Sequence, residues 1–292
     1  MSNDKDYKVL IGADPELFIE KDGEIISAEG LIGGSKEEPM YISDEGHALQ
    51  EDNVMVEYNI PPAKTLQEFV QHNNFVLNYL KEKFEKDGIT INTSVSANLN
   101  NKYLKSKQAK TFGCEPDFNI YSRNANTPPS SKSKLRCCGG HIHIGLPNRF
   151  CETDHTIEIT KLLDATLGLL SVLKDDDNER RSMYGRAGSV RFKNYGFEYR
   201  TLSNFWIHDR ELMEEVYLTA ILVTKLYMKG LLKFEDLNIC SSEIERVINT
   251  SDVSLAEILL DQVGKKLTSI AEENEDVESI LLGEEKELVK TN

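Results

Sequence analysis

The chain has 292 residues, is 39% hydrophobic and 28% charged, and carries a formal net charge of −15. This is the balance of a globular protein long enough to bury a sizeable core. It excludes a general nucleic-acid binder, because a phosphate backbone needs a basic footprint.

Residues 7 to 60 read as strands and turns. In GADPELFI, Asp14 and Glu16 stand two positions apart, so in a strand they share a face, while Leu17 and Ile19 share the other. KDG at 21–23 has turn chemistry and predicts a hairpin between LFIE and EIISA. GLIGGSKEEP is a glycine-rich loop without the Gly-Lys-Ser/Thr ending of a phosphate loop. VMVEYNIP repeats the alternation, with Glu57 and Asn59 on one face and Val56 and Tyr58 on the other.

A helix is predicted from Leu66 to Lys86. Thr65 and Glu68 supply a capping box, an apolar stripe runs from Leu66 to Phe84, and Gly88 ends it. The strand ITINTSVSAN follows. GCEPDFNIY brings a third pair, Glu115 and Asp117. The polar stretch 122–136 has two prolines and no periodicity. It is either a surface connection or a lid whose Arg123, Lys132, Lys134 and Arg136 cover an anion. GGHIHIG adds His141 and His143 against Ile142 and Ile144.

Thr156 to Lys174 reads as a well-buried helix. It ends in DDDNERR, where Arg180 and Arg181 pair with surface acids. Arg186 and Arg191 follow, with Gly185, Gly188 and Gly196 allowing close approach. GFEYRTL then gives Glu198 and Arg200 against Phe197 and Tyr199. A helix from Arg210 to Lys229 is capped by Asp209 and ended by Gly230. Shorter helices follow, marked by the boxes Ser242/Glu245 and Ser254/Glu257. The order lacks a regular βα rhythm and predicts an α+β fold with an antiparallel sheet.

The five segments share one form: apolar residues on one face, acids, histidines or an arginine on the other, and no lysine in any of them. Such a surface repels itself unless cations or a ligand fill it, and carboxylates with imidazole suit Mg²⁺ or Mn²⁺. Arginines beside metal-binding carboxylates suit a nucleotide triphosphate and an anionic substrate. The five cysteines show no CxxC spacing, and no stretch reaches about 18 consecutive apolar residues. The expectation is a reduced cytoplasmic protein with neither membrane nor nucleic-acid partner.

GADPELF, MVEYNIPP, GCEPDF, GGHIHIG and YGRAGSVR followed by FEYRTLSNFW, in this order, resemble the glutamine synthetase-like carboxylate–amine ligases. The resemblance is nearest to the phage-encoded carboxylate–amine ligases of type 2, the amidoligases, and covers residues 8 to 210. It implies a curved, mostly antiparallel sheet with helices packed on one side. The concave face would hold ATP and two or three Mg²⁺ (or Mn²⁺) ions. It implies metal ligation by Glu16, Glu57, Glu115, His141 and Glu198, and phosphate contacts from His143, Arg186 and Arg191. Arg200 would hold the substrate carboxylate or its acyl phosphate.

The implied reaction is ATP-dependent amide formation through an acyl phosphate, on small-molecule, peptide or protein carboxylates and amines, in a host cytoplasm if the chain is phage-encoded. The implied division is a catalytic domain over 1–236 and a helical acidic extension over 237–292. Two other classes use parts of this chemistry: a metal-dependent hydrolase (phosphatase or nuclease), and a non-catalytic nucleotide-binding protein. The oligomeric state stays open.

Overall fold

The computed structural model describes residues 7–110, 117–126, 134–175 and 179–274. The strands are β1 (Leu10–Ala13), β2 (Glu16–Lys21), β3 (Glu24–Ile26), β4 (Met40–Tyr41), β5 (Ala48–Asp52), β6 (Met55–Asn59), β7 (Ile89–Asn92), β8 (Ser96–Asn98), β9 (Phe118–Asn119), β10 (Asn124–Ala125), β11 (Leu135–Cys137), β12 (Ile142–Gly145), β13 (Ser189–Lys193) and β14 (Gly196–Tyr199). The helices are α1 (Leu66–Glu85), α2 (Lys107–Lys110), α3 (Thr153–Leu163), α4 (Leu169–Lys174), α5 (Arg180–Met183), α6 (Arg210–Met228), α7 (Ser241–Thr250) and α8 (Val253–Glu273). The fold is α+β, and every strand ladder among the described residues is antiparallel.

β8 pairs with β11 in a small sheet of its own, and two larger sheets have the orders β1-β12-β14-β13-β9-β10 and β3-β2-β6-β5-β4, with β7 also paired to β2. They meet at a corner. β1 runs into β2 through Asp14 and Pro15, and the backbone stays bonded across the bend: Asp14 N–H donates to His141 O, Glu16 N–H to Gly139 O, and Ile60 N–H to Ala13 O. Pro15 has no N–H to give a ladder, so a proline is tolerated at this break. Asp14 therefore sits where the two sheets join.

Alternation sorts the faces as the sequence predicts. Leu17, Val56, Tyr58, Ile142, Ile144, Phe197 and Tyr199 are fully buried in one large core. Helices α1, α3 and α6 close that core, with Phe69 of α1 against Trp206 and Tyr217 at ring distances of 5.7 and 5.3 Å. The hairpin turn at KDG forms with positive φ at Asp22 and Gly23, the backbone of a two-residue turn.

Helix α1 starts where expected, but only half of the box closes. Thr65 Oγ1 accepts from Glu68 N–H, whereas the Glu68 carboxylate takes Lys64 N–H. The strand predicted over ITINTSVSAN is two short strands, β7 and β8, in different sheets. The helix predicted from Thr156 begins at Thr153 and is interrupted by a π-turn over Asp164–Gly168. Neither later box forms as read. Helix α7 starts two residues early, after Cys240, and α8 is capped by Asp252, whose carboxylate accepts from Leu255 N–H. A carboxylate at the N-cap outcompetes a serine two residues further on. Helices α7 and α8 bury Ile244, Val247, Ile248, Leu259 and Val263 in the same core as the sheets, against α4 and the π-turn.

The glycine-rich loop has a partner of its own. Gly30, Ile32 and Gly33 donate backbone N–H groups at 2.9–3.2 Å to the carboxylate of Glu51. Gly34 is required next to it: φ is +79°, and a Cβ there would lie 2.6 Å from the backbone of Leu49 and Met40. A hydrogen bond to a charged group contributes about 1.5–3 kcal/mol when buried, and less at this solvent-facing loop. Glu51→Ala is expected to lower stability by about 1–3 kcal/mol and to speed amide exchange across 30–35. Chemical denaturation with hydrogen-exchange mass spectrometry checks both, and unchanged exchange there would show that the loop holds itself.

Candidate active site

Strand register builds the site in two rows. In the first sheet His143 pairs with Glu198, and Glu198 with Arg191, so three strands place these side chains on one face. In the second sheet Glu16 pairs with Glu57, and Glu57 with Gln50. Asp52 lies two residues beyond Gln50 and shares its face. The rows face each other across a cleft of about 310 Å³, lined among others by Asp14, Glu57, His141, His143, Arg191 and Arg200.

The second-sheet side of the cleft is acidic. Glu16, Asp52 and Glu57 each bring a carboxylate oxygen within 4.8 Å of the others. Burial, with Asp52 beside it, pushes the Glu16 carboxyl up to about 8, although Gly139 N–H donates to it at 2.7 Å. Burial, then Asp14, Asp52 and Glu16, push Glu57 well above the usual carboxylate range. Asp52 is raised too, chiefly by burial. Three acids that resist ionising together are what a cation site looks like before the cation arrives.

The corner holds the imidazoles. His143 Nε2 lies 3.2 Å from Asp14 Oδ2, and His141 Nδ1 lies 3.4 Å from Asp14 Oδ1 and 3.7 Å from Glu198 Oε1. Burial, with Arg200 nearby, pulls the His141 ring down to about 3, which leaves it neutral and able to ligate. Burial opposes ionisation of Asp14, but His143 and His141 outweigh it and hold that carboxyl well below the ordinary range. Tyr195 OH bonds His143 Nδ1 at 2.5 Å and orients the ring. Asp14, His143 and Glu198 form a second group with the reach of one ion.

The first-sheet side is cationic. Glu198, fully buried, meets Arg200 Nη1, Arg191 Nη1 at 3.2 Å and Lys193 Nζ at 3.3 Å. Arg200 Nε lies 2.6 Å from Asp117 Oδ1. One buried carboxylate thus gathers three cations at the wall of the cleft.

Of the residues singled out from sequence, Glu16, Glu57, His141, His143, Glu198, Arg191 and Arg200 converge here. Glu115 lies outside the described residues, as does 127–133 of the stretch read as a lid. Arg136 of that stretch is buried away from any lid role, donating to Asn53 Oδ1 and Ala109 O. Arg186 is exposed and is not among the residues lining the cleft. Arg180 and Arg181 are not surface pairs. Arg180 is 1% exposed and donates to the carbonyls of Thr201 and Leu202, behind Arg200. Gly185 makes room for it, since a Cβ there would meet its guanidinium at 1.7 Å. Asp52 and Lys193 belong to the site and went unread.

A family described as "Phage phiEco32-like COOH.NH2 ligase-type 2" matches residues 129–281, just over half of the chain. The match contains His141, His143, Arg191, Glu198 and Arg200, while the acids facing them, Glu16, Asp52 and Glu57, lie before it. It also runs across residue 236, into α7 and α8. A solved structure titled "Crystal structure of novel glutamine synthase homolog" aligns over 91% of this chain and 68% of its own, at 11% identity and a TM-score of 0.39. No curated protein matches.

Proposed function

The chain belongs to this family of carboxylate–amine ligases, and from that premise we propose that it makes an amide with ATP, through an acyl phosphate. The observation that carries this reading is the opposition of Glu16, Asp52 and Glu57 to Arg191, Lys193 and Arg200 across one cleft. A triphosphate fits between such walls only with divalent cations on the acidic side.

The donor set fits Mg²⁺ or Mn²⁺. It is rich in carboxylate oxygen, its acids are held partly protonated for want of charge, and Asp14 Oδ1 is buried without a well-formed hydrogen bond. Glu16, Asp52 and Glu57 would hold one ion, and Asp14, His143 and Glu198 another. When bound, the ions neutralise phosphate oxygens and orient the γ-phosphoryl group. With the Glu198 oxygens turned to an ion, Arg191 and Lys193 are left to face the cleft and meet phosphate. Arg200, fixed by Asp117, presents its fork to the reacting carboxylate. The site brings carboxylate and nucleotide together and lowers the barrier chiefly by positioning and charge neutralisation.

An apolar recess of about 300 Å³ adjoins the cleft, sharing His143 and Asn59 with it and lined by Ile60, Pro62 and Tyr195. Its shape and polarity suit a flat base. Stacking is worth about 1–3 kcal/mol, so Tyr195→Ala is expected to raise the KM for ATP about tenfold while changing kcat less. Equal KM values would place the base elsewhere.

The direct test is ADP release from Mg²⁺-ATP across a panel of carboxylates and amines, with mass spectrometry for the amide. ADP and amide in equal amounts support the ligase. Phosphate release that ignores the amine, or no turnover on any pair, counts against it.

A further inference from the structure

Outside the cleft, the hairpin between β4 and β5 carries a second cluster with a different donor set. His47, 1% exposed, points its Nε2 at Nδ1 of His72, in the second turn of helix α1, at 2.9 Å. The Glu45 carboxylate, on the same hairpin, lies 3.9 Å from His72 Nδ1 and 4.0 Å from His47 Nδ1. One ligand atom from each residue falls within 4.8 Å of the others. The three border a recess of about 450 Å³ that the cleft does not share.

Two further observations point to a ligand. Ser43 Oγ bonds His47 Nδ1 at 2.6 Å. In the tautomer that donates Nδ1–H to Ser43, Nε2 carries the lone pair and faces His72, the arrangement by which metal-binding histidines are oriented. Burial also keeps both rings in the neutral form that ligates. Two imidazole nitrogens on one tetrahedral Zn²⁺ stand about 3.3 Å apart, given bonds of about 2.0–2.1 Å. The rings need part by only a few tenths of an ångström, and Glu45, exposed and unconstrained by burial, closes on them by rotation.

We propose that Glu45, His47 and His72 form a site for one borderline-soft divalent cation, with Zn²⁺ as the type, distinct from the oxygen-rich site in the cleft. Two imidazoles and a single carboxylate favour Zn²⁺ over Mg²⁺, the reverse of the cleft's preference. The site also has a mechanical consequence. Glu45 and His47 stand on the hairpin whose Tyr41, Gly46 and Ala48 line the cleft, whereas His72 stands on α1. A bound ion ties one wall of the cleft to the helix behind it.

The test uses the full chain with Zn²⁺ as probe and excess Mg²⁺ to occupy the cleft. Equilibrium dialysis compares the wild type with His72→Asn and Glu45→Gln. Wild type is expected to bind one more equivalent of Zn²⁺ than His72→Asn, and Glu45→Gln to bind that equivalent about tenfold more weakly. Zn²⁺ should slow amide exchange over residues 40–48 in the wild type and not in His72→Asn. Glu45 is exposed, so its variant keeps the test intact if His72→Asn folds poorly. Equal Zn²⁺ stoichiometry and affinity in wild type and variants overturns the proposal and leaves Ser43, His47 and His72 as a hydrogen-bonded chain only.

Discussion

Glu57→Gln is expected to cut amide formation by at least about a hundredfold and, without divalent metal, to make the protein more stable. Both effects have one cause. Glu57 is half-buried beside Asp14, Asp52 and Glu16, and all three carboxylates oppose its charge. Replacing an acid that the fold resists ionising by a neutral amide relieves the folded state, whereas removing a ligand from a cation site costs at least as much as losing an outer-shell partner, about 10–100-fold. A gain of about 1–2 kcal/mol raises Tm by a few degrees in a chain of this size. Scanning calorimetry in EDTA at pH 8, beside ADP release with Mg²⁺, reads both. A variant that is less stable in EDTA and fully active would mean that Glu57 is a structural acid and the cleft does not take metal through it.

The same acids set a pH dependence. The Glu16 carboxyl sits near 8 in the fold, against an ordinary value of 4.5. The folded state therefore keeps a proton that the unfolded chain releases as pH rises past 4.5. Stability without metal should fall between about pH 4.5 and 8 and level off above. Mg²⁺ should flatten that slope, because a cation replaces the proton. A metal-free protein whose Tm is flat across this window would show that the acids are already compensated.

Much of this site is legible in the sequence because a strand has a period of two. Glu57 and Asn59, His141 and His143, and Glu198 and Arg200 stand out since their neighbours are Val, Tyr, Ile and Phe. Gln50 and Asp52 obey the same rule in ALQED and were still missed. The reason is Glu51 between them, a charge on the face that should be apolar. The structure explains it, since Glu51 turns away to cap the glycine-rich loop. Lys193 hid similarly, as one more cation in an arginine-rich run; its strand register pairs it with Gly196, and its side chain reaches diagonally to Glu198. Asp164 was passed over inside an apolar helix. It is fully buried in a π-turn and accepts from Tyr121, Tyr199 and Thr201. A lone acid in an otherwise apolar stripe was the signal. Pairings between distant strands, such as Glu16 with Glu57, have no local trace and only the fold supplies them.

Arg200→Lys is expected to lower amide formation at least about tenfold, roughly 1.4 kcal/mol in the barrier. The surroundings make this a clean substitution. Arg200 N–H donates to Ser189 O, and the carbonyls of Thr201 and Leu202 behind it are held by the buried Arg180. Thr201 Oγ1 is tied to Asp164. The backbone at 200 is thus fixed from several sides, and the exchange alters the side chain alone. Arg200 reaches Asp117 through Nε and Glu198 and His141 through Nη1, a division between two ends of a planar group that a single ammonium cannot reproduce. Lysine keeps the charge, so the Mg²⁺ dependence of ATP binding should change little, in contrast to Glu57→Gln. What should change is the fate of the activated carboxylate. An acyl phosphate held at one point is lost more readily to water, so ADP released per amide formed should rise above the wild-type ratio. A variant with the wild-type rate and the wild-type ratio would remove Arg200 from substrate contact and leave it as the counter-ion of Asp117 and Glu198.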